Sequence, residues 1–252
     1  MPRANRYFVP GYVWHITHRC HKKEFLLKFH KDRVNWIRWL FEAKKRYGLC
    51  VLNYIVTSNH IHLLVQDTGD NVIPKSMQLI AGRVAQSYNQ RKQRRGAFWE
   101  DRYHATAVDT DEHLARCLIY VDMNMVRAGV VNHPRDWSAS GYHEIQNPPT
   151  RYRIVDLKAL QHLLEIDALK ELQHCHLAWI EDAIANDRAG FESQWSNSIA
   201  VGSESFVETI KAQLSVSAKY RAVESDNDAF VLQEPSTAYS AHFGDEKEVL
   251  ST

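Results

Sequence analysis

The 252-residue sequence has no uninterrupted apolar run near the roughly 20 residues that cross a bilayer, so no membrane-spanning helix is expected. Its basic first residues are not followed by the apolar block of a signal peptide, which makes the cytoplasm the expected compartment. Cysteine is scarce. Cys20, Cys50, Cys117 and Cys175 stand far apart without a C-x-x-C pair, which argues against a disulfide framework or a cysteine zinc site and reads as reduced thiols. No repeat recurs at solenoid periods, and with 44% hydrophobic residues the chain can bury a proper core.

Net charge is also nearly absent, at +1. That small sum hides an asymmetry. Residues 1–150 hold 22 of the 31 Lys+Arg and 13 of the 30 Asp+Glu, a balance of +9, which leaves 9 against 17, or −8, for residues 151–252. A basic first part suits a polyanionic partner, because each neutralised phosphate releases counterions.

Gly11 to Arg19 (GYVWHITHR) is rich in aromatic and β-branched residues and reads as a strand. Lys31 to Tyr47 follows with Val34, Ile37, Leu40 and Phe41 at helical spacing. Leu49 to Gln66 holds two apolar runs separated by Thr57-Ser58-Asn59, small polar residues that compete for backbone hydrogen bonds, so a hairpin of two strands is expected. Ile73 to Gln93 reads as a helix, Phe98 to Val108 as a loop and short strand, and Glu112 to Met125 as a helix ending near Gly129. Asn147-Pro148-Pro149 marks a linker where the charge changes sign, and predicts a domain of residues 1–147. A mainly helical extension over residues 148–222 and a disordered acidic tail over 223–252 complete the expected organisation.

His60-Ile61-His62 lies in a predicted strand, whose period of two aims both imidazoles at one face. Such a pair suits a divalent metal, although His-x-His alone is more often packed or merely exposed. Tyr120 and Asn124 are four residues apart in a predicted helix and so share a face. His15, His18, His21 and Cys20 read as a structural accident, since strand alternation sends His18 and Cys20 one way and His15 and His21 the other. His174-Cys175-His176 fails likewise, because helical residues two apart diverge.

Four blocks together carry a resemblance. GYVWHITHR opens the domain, SNHIHLLV resembles PNHxHLLV, GAFWEDRYHA resembles a G-x-hydrophobic-W-x-x-R-aromatic block, and LIYVDMNMVRAGVV resembles YI-x-x-NPV-[KR]-AG-hydrophobic. Over residues 5–145 their order and spacing are similar to those of the single-tyrosine HUH transposases, and within them the REP-associated tyrosine transposases. The sequence departs from that pattern at two positions, Ser58 and Met125, where the pattern has proline. Met125 is expected to let the tyrosine helix continue.

The resemblance implies an α+β fold of ferredoxin-like or RRM-like HUH type, an antiparallel sheet with helices on one side. It implies that Tyr120 attacks a phosphate of single-stranded hairpin DNA to leave a 5′-phosphotyrosine link, beside Mg²⁺ or Mn²⁺ on His60, His62 and Asn124. His104 and Asp122 are base candidates by position only. Arg91, Lys92, Arg94 and Arg95 beside Trp99 form a basic and aromatic run suited to DNA, with Arg83, Arg102 and Arg127 as further contacts. The protein is then expected at the nucleoid, as a monomer or homodimer. The alternative is a domesticated protein that binds palindromic repeats without cutting.

Overall fold

The computed structural model describes residues 8–186, 192–218, 221–226 and 229–233. Among them a seven-stranded sheet runs in the order β2-β3-β1-β4-β5-β7-β6. Its first four strands are antiparallel: β1 (Val13–Arg19), β2 (Cys50–Val56), β3 (His60–Gln66) and β4 (His104–Val108). β2 and β3 form the expected hairpin. The Thr57 hydroxyl accepts from the amides of Asn59 and His60 at 3.4 and 3.1 Å and donates to the His60 carbonyl at 2.8 Å, closing the turn.

Alternation along β3 sends Ile61, Leu63 and Val65 to one face and His60, His62 and Leu64 to the other. In register, Thr17 lies opposite both His62 and His104, and Arg19 opposite His60, so His15, Thr17, Arg19 and His104 share the histidine face. Helices α1 (His30–Tyr47) and α2 (Val72–Lys92) cover the opposite face, burying Trp36, Leu40, Ile73 and Ile80 with Ile16, Ile61 and Leu63. Helix α1 stops at Gly48, whose left-handed backbone (φ 72°) turns its amide onto the Lys44 carbonyl at 2.9 Å.

The mixed α+β class stands, but helices flank both faces. Helix α3 (Glu112–Asp122) buries the expected stripe of Leu114, Cys117, Leu118 and Val121 on the histidine side and ends before Met123. A one-turn helix α4 (Asn124–Arg127) follows, so the tyrosine helix breaks even without the proline. Met125 packs with Ile55 and Val121, and burial of its side chain holds that bend.

The chain beyond the prolines departs most from expectation. Helix α5 (Tyr142–Gln146) precedes the prolines, and α6 (Leu157–Leu163), α7 (Leu169–Ala185), α8 (Gln194–Asn197) and α9 (Glu204–Leu214) follow them together with three strands. Strand β5 (Ala200–Gly202) pairs parallel with β4, Ala107 opposite Ala200 and Val108 opposite Val201. Strands β6 (Ala222–Asp226) and β7 (Ala229–Gln233) continue the sheet antiparallel. Within 148–222 the described residues are mainly helical, with β5 as a short strand among them, while strands occupy 222–226 and 229–233 where disorder was expected from 223. Runs as short as Ala-Val-Gly carry no readable period; they become strands because β4 offers an unpaired edge. The rest of the predicted tail, 234–252, lies outside the described residues.

The proline pair does not separate two cores. Beyond it the Asp156 amide donates to the Val51 carbonyl at 2.7 Å, and a Glu144 carboxylate oxygen accepts from the amides of Ile154 and Val155 at 2.7 and 3.0 Å. Leu157, Leu160, Trp195, Val201, Val207 and Leu232 belong to the same apolar cluster as Val13, Ile16 and Leu63. No described helix is long and apolar enough to cross a membrane.

Candidate active site

A cavity of about 420 Å³ opens on the histidine face, lined by His60, His62, Tyr120, Asn124, Arg127 and Ser196 among others. The structure thus brings together the two histidines, the tyrosine and the asparagine singled out in the sequence. His60 turns its Nδ1 to Asn59 Oδ1 at 2.7 Å and to the Thr57 hydroxyl at 3.0 Å. His62 Nε2 lies 2.9 Å from the Asn124 side-chain nitrogen, and its Nδ1 lies 2.9 Å from His15 Nε2. His15 in turn reaches the Trp195 carbonyl through Nδ1 at 2.8 Å.

Burial pushes His60 down to about 4, helped by the cations Arg19 and Arg127, and holds His62 well below the ordinary histidine range, with His60 and His15 adding to it. Both rings are therefore neutral near neutral pH, the state in which imidazole ligates a cation. Among the described residues no three His, Cys, Asp or Glu side chains converge as a metal cluster. Two neutral imidazoles and an amide nonetheless fit a divalent ion, provided Asn124 turns its oxygen inward, a rotation that leaves the side chain's shape unchanged.

Tyr120 is only 4% exposed. Its ring centre is 5.7 Å from that of His62, and the Arg127 guanidinium sits 4.1 Å over its face. Burial raises the phenol above its ordinary range, while Arg127 and the Ser196 hydroxyl pull it back. Arg127 also donates to the Tyr120 carbonyl at 3.2 Å, which pins one cation beside the phenol.

The other expected residues divide. Arg102 and Arg127 line the cavity, as does His104, whose Nε2 lies 2.9 Å from the Ser198 carbonyl. Asp122 does not: buried at the end of α3, it accepts from Asn53 at 3.0 Å and bonds His176 at 2.7 Å. Arg83, Arg91 and Lys92 lie off the cavity, since α2 packs on the opposite face of the sheet, and Arg94, Arg95 and Trp99 in the segment after it do not line the cavity either. Arg91 is paired with Asp32, and Arg83 sits over Trp39 at 5.4 Å. Lys92 lies over Phe29 at 5.5 Å, and Arg94 donates to the Ala97 carbonyl at 2.9 Å. Arg95 is exposed. Trp99 stacks on His18 at 4.0 Å and donates to the Ala81 carbonyl at 3.0 Å, so it packs within the protein and is not an open stacking platform.

Sequence reasoning passed over His15, Ser196 and the Trp195 carbonyl. Alternation does separate His15 from His18, but only the register of β1 against β3 puts His15 on the face of His62. The carbonyl has no signal in the sequence.

An antiparallel sheet that offers a pair of histidines to a helix-borne tyrosine and asparagine is a scaffold for phosphoryl chemistry near a cation. Comparison with known proteins agrees: the model of the family described as "Transposase IS200 like" matches residues 9–124, a span that holds all four of those residues. Over this span the chain is similar to the IS200-like transposases, enzymes that act on DNA. A Haemophilus influenzae protein named as a REP-associated tyrosine transposase is 26% identical over 156 residues, covering 57% of this chain and 86% of that one. Two solved structures are similar at 18% identity. One, a REP-associated tyrosine transposase bound to a REP hairpin, has a TM-score of 0.49 over 57% of this chain and 84% of that one. The other, a transposase from Deinococcus radiodurans, has a TM-score of 0.34 over 45% and 89%.

Proposed function

We propose that this protein cleaves and rejoins single-stranded DNA at hairpin sequences, with Tyr120 as nucleophile and His60, His62 and Asn124 holding Mg²⁺ or Mn²⁺. The observation that carries this is the convergence of Tyr120, His62 and Asn124 in one cavity, Asn124 being 2.9 Å from His62 and the tyrosine ring 5.7 Å from it. The phenolic oxygen bonds to phosphorus as the bond from phosphorus to the 3′ oxygen breaks. The strand is left with a free 3′-hydroxyl and a 5′-phosphotyrosine, and the proton lost by the phenol is matched by the one the 3′ oxygen gains. Arg127, 4.1 Å over the ring, stabilises the phenolate that burial alone would disfavour. The metal, when bound, supplies polarisation of a non-bridging phosphate oxygen and offsets the charge of the transition state. Arg102 and Arg127 neutralise the phosphates next to the scissile one.

One chain carries every side chain of this set, so we infer that Tyr120 acts on the site of its own protomer and that a monomer is competent. The family's action on DNA favours a DNA partner at the nucleoid, and the name of the Haemophilus influenzae relative favours repeated palindromes as the target.

The second reading, a protein that binds palindromes without cutting them, is favoured by the near-complete covering of Tyr120. A labelled hairpin oligonucleotide incubated with Mn²⁺ and resolved on a denaturing gel separates the two. Wild type is expected to form a covalent protein–DNA adduct and Tyr120→Phe none. Binding with no adduct across many hairpins leaves the binding protein as the account.

A further inference from the structure

A carbonyl oxygen only accepts, so at 2.8 Å from the Trp195 carbonyl it is His15 Nδ1 that carries the proton. His15 is 0% exposed, and a ring stripped of water disfavours a second proton, which leaves Nε2 as an acceptor. His62 Nδ1, 2.9 Å away and in a ring parallel to within 3°, must then be the donor. With its own proton there, His62 keeps a bare Nε2, which lies 2.9 Å from the end of the Asn124 side chain.

We propose that His15 is a positioning residue through which the backbone at Trp195 locks His62 in the Nδ1–H tautomer, so that Nε2 faces the cation. This rests on the reading of His62 as a metal ligand. The neighbouring residues give Trp195 a fixed place: Thr106 donates to the Ser198 carbonyl at 2.7 Å, and β5 begins at Ala200 on the edge of β4. The C-terminal segment, which holds none of the expected ligands, is thereby part of the machinery that aims one. Partners that orient a ligating imidazole in this way change metal affinity by about 10- to 100-fold when removed.

The first test needs neither a variant nor metal. Two-bond ¹H–¹⁵N correlation spectra of metal-free protein labelled at histidine are expected to show His62 protonated on Nδ1 and bare on Nε2. A His62 protonated on Nε2 overturns the proposal. The second test is calorimetric titration with MnCl₂. His15→Phe keeps the ring without its hydrogen bonds and is expected to bind Mn²⁺ about 10- to 100-fold more weakly. His15→Gln, which retains one acceptor and a donor, is expected to lose less. Equal affinity in His15→Phe and wild type overturns the proposal. If wild type binds no Mn²⁺, the metal reading fails, while the tautomer spectrum still decides the relay.

Discussion

The residues before the prolines and those after them contribute to the cavity in different ways. The first region supplies side chains that meet there, His60, His62, Tyr120, Asn124 and Arg127. The second supplies mostly backbone: the Trp195 carbonyl behind His15, the Ser198 carbonyl against His104 and Thr106, and the Ser196 hydroxyl near Tyr120. Side-chain chemistry needs particular residues and so leaves motifs. A carbonyl belongs to every residue, so its contribution depends on the fold alone. A region without a recognisable motif can still be part of a site.

Their opposite charges fit the same picture. Arg116 meets Glu192 at 3.5 Å and Arg135 meets Glu181 at 3.1 Å across the two regions, although partly exposed pairs of this kind add little stability. The buried bond between Asp122 and His176 at 2.7 Å fastens α7 to the tyrosine helix in a way that water cannot screen.

The largest effect is expected for Trp195→Ala. This indole is 0% exposed, so its removal is expected to cost about 3–5 kcal/mol and to lower the urea midpoint of a single cooperative transition. Two separate transitions, with the histidine domain unaffected, would make the C-terminal segment an independent module. Gly202→Ala is milder. A Cβ there would lie 2.4 Å from Asp109 Cβ, so β5 must shift from β4, at an expected cost of about 1–3 kcal/mol in the same measurement. No change would show that the strand pairing is loose. The smallest effect is expected at Arg95, exposed and away from the cavity. If Arg95→Ala acts on the backbone of bound DNA, it weakens binding evenly across sequences and lowers the salt slope by about 1. An unchanged slope assigns Arg95 to the solvated surface.

Most of the fold was legible where a period had length to repeat: β1 to β3, α1, α2 and α3 all follow their apolar patterns. That His60, His62, Tyr120 and Asn124 share one cavity was legible because the period of two in β3 and the spacing of four from α3 into α4 each project a pair to one side. Position along the chain misled for Asp122, which α3 turns toward Asn53 and His176, and for Trp99, which its neighbours His18 and Ala81 already occupy. His15 required the strand register, and β5 to β7 required the free edge of β4. Both are long-range facts that no local pattern encodes.

The central claim is that Tyr120 forms the covalent link to DNA. Trypsin releases this residue in the segment from Cys117 to Arg127, which contains no other tyrosine. Mass spectrometry of the protein after reaction with hairpin DNA and Mn²⁺, followed by nuclease and trypsin, is expected to find a nucleotide on that peptide at Tyr120. A nucleotide on another tyrosine, or cleaved DNA with no modified peptide, would contradict the account.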